Sequence, residues 1–271
     1  MNKCIIVGLP DSGKSTYIGA FWAIEKDADT GHKLMCSKYP DDTTYLDSLK
    51  KDWHNQRIVN RSSQIEKKDI VLELTDSLQN RTISVCIPDF KGERFASILQ
   101  NNINDEVDEW LSKSDSVLFF IKYAEKEILQ EELGTDAGTY SNSAPTALRL
   151  SDMTDWSKNI MLLKYIIENY PNIRKYSICI SAWDKVDEEK YPSVESWLKA
   201  KSPFMYNFLK HNVHEYNLYG VSAQGLDYED YPAGEDPESI QIKTENHQRA
   251  FVYDKEKSFD ITKPLYSLIK D

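Results

Sequence analysis

Glycine and proline are scarce in this chain, with 10 of each among 271 residues. Neither residue clusters into a stretch that would serve as a linker, so composition marks no domain boundary. The length is sufficient for one large α/β domain or two small ones, and for a substantial buried core in either case.

Positive charge is also in deficit, because 33 Lys and Arg residues face 44 Asp and Glu residues, for a net charge of −11. Proteins whose main task is to grip nucleic acid need a concentrated basic face, so we expect no nucleic-acid partner. The 4 cysteines lack the spacing of metal ligands, which favours reduced core thiols in a cytoplasmic protein. The apolar runs after Met1 and at residues 117–121 are too short for a signal-peptide core or a membrane span.

A phosphate-binding loop pattern stands near the N-terminus. Gly8 is followed, after 4 intervening residues, by Gly13, Lys14 and Ser15, which is the spacing G-x-x-x-x-G-K-[ST]. The apolar residues 4–7 predict a buried parallel strand, and the residues from Gly13 onward predict a helix. An ordinary glycine turn is the alternative, but a chance match rarely has both flanks correct.

The residue types in this loop suit phosphate chemistry. Gly8 and Gly13 permit backbone angles and close approaches that a Cβ would block, so successive N–H groups can surround phosphate at a helix N-terminus. Lys14 would reach the outer phosphates, and the Ser15 hydroxyl would bind Mg²⁺. The other nucleotide-binding residues that we predict in the loop are Asp11, Ser12 and Thr16.

Hydrophobic periodicity along the rest of the chain predicts alternating strands and helices. Residues 70–74 and 82–87 predict two strands whose connection is too short for a parallel crossover, so they form an antiparallel hairpin. Other strands are predicted at 33–39, 116–122, 176–182, 218–221 and, at an edge, 250–253. Further helices are predicted at 43–57, 105–114, 156–170, 192–216 and 261–270. The expected fold is an α/β domain with a mostly parallel sheet and one antiparallel strand.

The second hairpin strand runs into the motif PDFKGE at residues 88–93. An acidic residue that leaves a buried strand beside a phosphate loop can hold Mg²⁺ through water, and a glycine three positions later can offer its N–H to a terminal phosphate. Asp89 and Gly92 have this spacing, so we predict a metal-binding role for Asp89 and a phosphate-binding role for Gly92. A surface turn is the alternative, because D-x-x-G by itself is a common pattern.

The order of phosphate loop, hairpin, D-x-x-G, Asp-bearing strand end and Ser-Ala turn resembles the Ras-like GTPases of the translation-factor-related class. Because these features cover nearly the whole chain, the resemblance implies one three-layer P-loop domain over residues 1–271, with polar insertions at about 32–66, 125–155 and 226–257. The extra helix with Trp53 and the segments IPDFKGERF, SAWD, VSAQG and ITKPLYSLI resemble the bacterial double-GTPase family of conflict and defence gene clusters. The implied ligands are GTP and GDP, with Mg²⁺.

In such GTPases the aspartate of an N/T-K-x-D motif pairs with guanine, whose N–H donors suit a carboxylate. Two registers compete here: SAWD, ending at Asp184, lacks the lysine, and DKVD, ending at Asp187, lacks the asparagine. We favour Asp184, because the apolar strand stops just before it, with Trp183 or Lys185 covering the base.

The same resemblance suggests the other contacts. Ser222 and Ala223 match the turn that offers backbone N–H to the guanine oxygen. Ser62 is the candidate switch hydroxyl for Mg²⁺, with Arg61 as an internal arginine finger; a solvated loop is an equal alternative there, and Thr43 or Thr44 is the fallback. Glu93 stands where Ras-like members have a water-orienting Gln, and its charge would repel the γ-phosphate.

The resemblance therefore implies a cytoplasmic GTP-binding switch with slow Mg²⁺-dependent hydrolysis, which regulates an unidentified protein partner in bacterial defence. A non-hydrolysing nucleotide-dependent scaffold is one alternative, which Glu93 and the incomplete base motif favour. A small-molecule kinase that uses ATP is another. The predicted hairpin is unusual for such a kinase, and the sequence has no Arg-rich lid segment.

Overall fold

The computed structural model describes residues 2–26, 31–55, 70–76, 78–88, 93–99, 105–123, 153–225 and 246–270. Within these ranges, no helix combines the length and the apolar character that a membrane crossing requires.

A sheet of nine strands runs through the described part of the chain. Its central strands are parallel to one another and lie in the order β4 (Arg81–Ile87), β1 (Asn2–Gly8), β5 (Ser116–Ile121), β6 (Lys175–Ser181) and β7 (Glu215–Ser222). On one side the sheet continues through β3 (Ile70–Asp76) and β2 (Met35–Lys38), and on the other through β8 (Phe251–Tyr253) and β9 (Lys257–Ser258), with antiparallel pairing at each of these steps.

This mostly parallel sheet confirms the predicted fold class, and the full-length pairing of β3 with β4 confirms the hairpin. The sheet also contains a second strand, β8, that runs against the central ones. We predicted an edge position for β8, and this was wrong, because β9 pairs with it and lies outside it.

Helices cover both faces of the sheet because the side chains of each strand alternate in direction. Cys4 and Ile6 of β1 face one buried cluster, whereas Ile5 and Val7 face a second one on the opposite side. The first cluster includes side chains of α1 (Lys14–Ile24), α2 (Thr44–His54) and α8 (Lys263–Ile269). The second includes side chains of α3 (Glu93–Ile98), α4 (Asp105–Lys113), α5 (Asp155–Asn169), α6 (Val194–Lys201) and α7 (Pro203–Asn212).

Residues 192–216 are mostly helical, as predicted, but they form two separate helices, α6 and α7, and β7 begins at Glu215. Ser202 stands between the two helices with φ −146° and ψ 75°, outside the helical region. Pro203 explains the break, because a proline disfavours helical geometry in the residue before it and is itself well suited to the first turn of a helix.

Helix α2 packs closely along α1 and runs in the opposite direction. The carbonyl oxygen of Leu49 lies 2.9 Å from the point where a Cβ on Gly19 would stand. Near the far end of α1, Trp22 donates its indole N–H to Asp47 at 2.8 Å. Later residues of α2 therefore return towards the start of α1, and Trp53 arrives at the sheet edge where β7 ends.

Candidate functional site

The candidate site begins at the loop between β1 and α1. Gly13 precedes α1 with φ 91° and ψ 1°, a left-handed conformation that residues with a Cβ rarely adopt. A Cβ on Gly13 would also lie 2.7 Å from the Cβ of Ser181. A Cβ on Gly8 would lie 2.6 Å from the Ser12 hydroxyl oxygen. The spacing of the motif is therefore matched by two positions at which neighbouring atoms leave no room for a side chain.

Lys14 reaches back over this loop. Its ammonium donates to the carbonyl oxygens of Gly8 at 2.8 Å and Leu9 at 2.7 Å, and to the hydroxyl oxygen of Ser12 at 3.0 Å. These contacts hold a cation beside the N-terminus of α1, where unpaired backbone N–H groups also attract an anion. Ser15 and Thr16 are half-buried in the first turn of that helix, and Asp11 is exposed in the loop with φ 58°.

The end of β6 lies next to the phosphate loop, as the approach of Ser181 to Gly13 shows. Ala182 follows in a left-handed conformation, with φ 52° and ψ 45°, and Trp183–Lys185 form one turn of 3₁₀-helix. This sharp turn leaves Asp184 and Lys185 exposed at the edge of the sheet.

Trp183 points the other way, into the core. It is 0% exposed, it stacks on Tyr253 with ring centroids 5.6 Å apart, and it meets Trp197 edge-on at 5.8 Å. Gly220 makes room for the indole, because a Cβ there would lie 2.0 Å from Trp183 Cδ2. A side chain with no exposed surface cannot cover a base, so the proposed base-covering role of Trp183 was wrong, and Lys185 is left as the candidate.

The two competing aspartates have different surroundings. Asp187 accepts hydrogen bonds from the backbone N–H groups of Glu189 at 3.1 Å and Lys190 at 3.2 Å, which is an Asx turn. The Asp184 carboxylate is exposed, and no described residue donates a hydrogen bond to it. This difference favours Asp184 as the group that would meet a base.

The Ser222-Ala223 turn follows the neighbouring strand. β7 pairs with β6 so that Val221 lies level with Ser181, which places the turn beside Asp184 at the same edge. Ser222 is fully buried, and its hydroxyl has no hydrogen-bond partner among the described residues. Ala223 is half-buried.

Two further residues hold this turn, and the sequence motifs did not identify either of them as part of the site. Trp53 donates its indole N–H to the carbonyl oxygen of Ala223 at 2.7 Å. The guanidinium carbon of Arg249 lies 3.9 Å from the centroid of the Trp53 ring, and Arg249 donates to the Trp53 carbonyl oxygen at 2.9 Å.

His54 packs edge-on against the Trp53 ring, with the ring centroids 5.4 Å apart. Burial, with the charges of Lys50 and Arg249, lowers the pKa of His54.

Several predicted residues lie outside the described part of the chain, namely Arg61, Ser62, Asp89 and Gly92. Glu93 is the first residue of α3, which is anchored by the buried ring of Phe95. Ser15 is therefore the one predicted metal ligand with a described position. The described residues contain no group of three or more His, Cys, Asp or Glu side chains that could hold a metal ion.

The surroundings of Thr43 and Thr44 disfavour either residue as the switch hydroxyl, although that fallback choice stays a prediction. The Thr43 hydroxyl donates to Asp47 at 2.7 Å, and Thr44 begins α2. Both residues stand at the end of α2 remote from Trp53, and a helix of this length separates its ends by about 15 Å.

The chain is similar in fold to several solved structures. One is a bacterial selenocysteine-specific elongation factor EF-Sec, with 13% identity and a TM-score of 0.39 over 89% of this chain and 30% of that chain. Another is sup35 complexed with GDP, with 14% identity and a TM-score of 0.36 over 83% of this chain and 38% of that chain. A third is the S. cerevisiae Ski7 GTPase-like domain bound to GTP, with 13% identity and a TM-score of 0.37 over 86% of this chain and 46% of that chain. The chain thus spans less than half the length of each of these proteins. A likeness at this level carries no conclusion about function.

Comparison of the sequence with curated proteins gives no match. A family model, that of Double-GTPase 1, matches residues 5–268. This match confirms the family resemblance that the motifs suggested, and it supports GTP binding. Because the model covers nearly the whole chain, the protein belongs to the Double-GTPase 1 family.

Proposed function

We propose that the protein binds GTP together with Mg²⁺, hydrolyses it slowly to GDP and phosphate, and changes its affinity for a protein partner with the state of the nucleotide. The observation that carries this proposal is that Lys14, on a phosphate loop, lies at the same end of the parallel strands as Asp184 and the Ser222-Ala223 turn. A cationic cradle at one end and a carboxylate with backbone donors at the other match the two ends of a guanine nucleotide.

At the phosphate end, Lys14 is the main cation. The loop oxygens that now accept its N–H groups are uncharged, so an anionic phosphate oxygen would be a stronger acceptor for the same donors. The first N–H groups of α1 add further donors, since no residue of the helix itself can pair with them. The proposed phosphate contacts are Gly8, Asp11, Ser12, Gly13, Lys14, Ser15, Thr16 and Gly92.

Ser15 is the described residue suited to hold Mg²⁺, because its hydroxyl belongs to the first turn of α1, next to Lys14. Asp89 and Ser62 are the other proposed ligands. When bound, Mg²⁺ supplies charge neutralisation at the phosphates. A metal site built from a hydroxyl, a carboxylate from a later part of the sequence and the nucleotide itself does not require a dense cluster of acidic side chains.

For hydrolysis we assign Glu93 to the attacking water and Arg61 to the charge that develops on the phosphate. A carboxylate can accept a proton from water, but it also repels the phosphate oxygens, so turnover without a partner is expected to be slow. Positioning and charge stabilisation by Lys14 and the backbone donors carry most of the catalysis in this chemistry.

At the base end we assign Asp184 to the N–H donors of guanine, Lys185 to the face of the base and the backbone of Ser222 and Ala223 to its carbonyl oxygen. A cytoplasmic location, a protein effector and a role in bacterial defence are also part of the proposal, and the family resemblance supports them.

Release of inorganic phosphate from GTP tests this proposal. The purified protein is expected to release phosphate slowly with Mg²⁺, and Lys14→Ala is expected to release none. Lys3→Ala is a matched control, because it removes an exposed lysine from the opposite end of β1. Tight GTP binding without phosphate release would favour the scaffold, and tighter binding of ATP than of GTP would favour the kinase.

A further inference from the structure

We infer that Trp53 and Arg249 are positioning residues, which fix the turn that reads the base and thereby set the affinity for guanine nucleotides. The inference rests on the proposed function, because it takes Ser222 and Ala223 as the turn that meets the base. Neither Trp53 nor Arg249 belongs to a nucleotide-binding motif. Both act through the hydrogen bond between the Trp53 indole and Ala223.

The hydrogen bond from Trp53 fixes one peptide group of the turn. The indole nitrogen lies 2.7 Å from the carbonyl oxygen of Ala223. In a planar trans peptide the C=O and the N–H point in opposite directions, so this bond aims the N–H of Gln224 away from Trp53. The N–H of Ala223 belongs to the preceding peptide group, on the other side of the same Cα, so its direction is restricted as well.

Arg249 fixes Trp53 in turn. Its guanidinium covers one face of the indole at 3.9 Å, and it is hydrogen-bonded to the Trp53 carbonyl oxygen at 2.9 Å. That carbonyl lies in the last turn of α2, where the helix dipole favours a cation. Trp53 is 0% exposed and Arg249 is 2% exposed, so both side chains are enclosed by their neighbours.

The far side of the turn is closed by backbone. Gly225 has φ 67°, and a Cβ on it would lie 2.1 Å from the carbonyl oxygen of Arg249. The turn is therefore confined between the end of α2 and residue 249. Donors that are held in this way lose little conformational freedom when they bind a ligand, and that preorganisation strengthens binding.

This arrangement predicts a specific effect on base recognition. Guanine and hypoxanthine both carry a carbonyl oxygen at C6, whereas adenine carries an amine there. Of these three bases, only guanine has the additional 2-amino group, which can donate a hydrogen bond to a carboxylate. Loosening the turn should therefore weaken GTP and ITP by the same factor, and it should leave their affinity ratio and the weak binding of ATP unchanged.

The variant Trp53→Phe tests the inference, because it keeps an aromatic ring under Arg249 and removes the N–H donor. We expect the dissociation constants of GTP and ITP to rise about tenfold, with most of the change in the dissociation rate. Arg249→Lys should act in the same direction through a less well fixed indole. Trp22→Phe is the matched control, because it too removes an indole hydrogen bond, in this case the one that joins α1 to Asp47 of α2 and not to the turn. It should bind both nucleotides as the unmodified protein does.

Fluorescent-analogue displacement by GTP, ITP and ATP gives the required constants, and circular dichroism checks the fold of each variant. Unchanged GTP and ITP affinity in Trp53→Phe would overturn the inference, as would a changed ratio of the two. If Trp53→Phe does not fold, Arg249→Lys decides by the same criteria. A failure of the unmodified protein to bind GTP would instead overturn the proposed function, so the two failures are distinguishable.

Discussion

Gly220 faces the Trp183 ring so closely that we predict a large loss of stability for Gly220→Ala. The added Cβ would lie 2.0 Å, 2.3 Å and 2.5 Å from three carbon atoms of the indole. Non-bonded carbon atoms prefer a separation of about 3.5–4.0 Å, so the ring would have to move by about 1.5 Å. Trp183 is fully buried between Tyr253 and Trp197, and this packing leaves it no space for that movement.

The expected loss is about 3 kcal/mol of the free energy of unfolding. Overpacking typically costs about 1–3 kcal/mol, and this site falls at the upper end because the ring contacts of Trp183, worth about 0.5–1.5 kcal/mol each, are disturbed as well. Replacing a strand glycine recovers only about 0.5–1 kcal/mol of that loss. In a domain of this size, about 3 kcal/mol corresponds to a midpoint lowered by about 6–12 °C.

Calorimetry or thermal scanning by circular dichroism measures this change. Gly31→Ala is the control, because Gly31 has φ 65° and, apart from its chain neighbours, no described residue has a heavy atom within 4 Å of an added Cβ. Only backbone strain of about 1 kcal/mol is therefore expected. Trp183→Leu alone should cost about 3 kcal/mol through the cavity it leaves. The double variant with Trp183→Leu and Gly220→Ala should lose at least about 1 kcal/mol less stability than the two single losses added together, because the added methyl group then has room. Strict additivity, or a Gly220→Ala midpoint within about 2 °C of the unmodified protein, would refute the steric argument.

Two other variants probe the base end and the packing of α2. Asp184→Asn should shift preference from GTP to xanthosine triphosphate in a displacement assay, because an amide suits a carbonyl where the carboxylate suited an amine; such a shift in Asp187→Asn instead would support the other register. The hydrogen bond from Trp22, followed by that from Thr43, lowers the pKa of Asp47 from 3.8. These two hydrogen bonds therefore stabilise the fold above that pH, and the stabilisation is lost as the pH falls through the folded-state pKa of Asp47. Asp47→Asn should therefore cost about 0.5–1 kcal/mol in urea unfolding at about pH 7, a value discounted for exposure of the carboxylate, and progressively less as the pH falls below 3.8. A loss that stays constant as the pH falls would contradict the assignment.

Most of the sheet could be predicted from the sequence because its signals are local. The apolar run at residues 4–7 and the short connection between β3 and β4 are each sufficient to define a strand or a hairpin. β9 has only two residues, too few to show any periodicity, so its outer position could not be predicted. The break at Ser202 was missed although Pro203 marks it, because apolar residues continue at helical spacing on both sides.

The site divides in the same way. The phosphate loop could be predicted because its glycines, Lys14 and Ser15 are neighbours in the chain. The support of the base-reading turn could not, because Trp53 meets residues 170 and 196 positions away, and periodicity contains no information about such contacts. The place of Trp183 depends likewise on Gly220 of the adjacent strand.

Competition between GTP and ATP for the phosphate loop, in the presence of Mg²⁺, tests the guanine assignment most directly. We predict that GTP displaces a fluorescent GTP analogue at a concentration at least about 100-fold lower than ATP does, because adenine would leave the carboxylate and the backbone donors unpaired. Lys14→Ala should bind neither nucleotide, and chelation of Mg²⁺ should weaken GTP binding. Binding of ATP as tight as that of GTP, or tighter, would contradict guanine recognition by Asp184 and the Ser222-Ala223 turn.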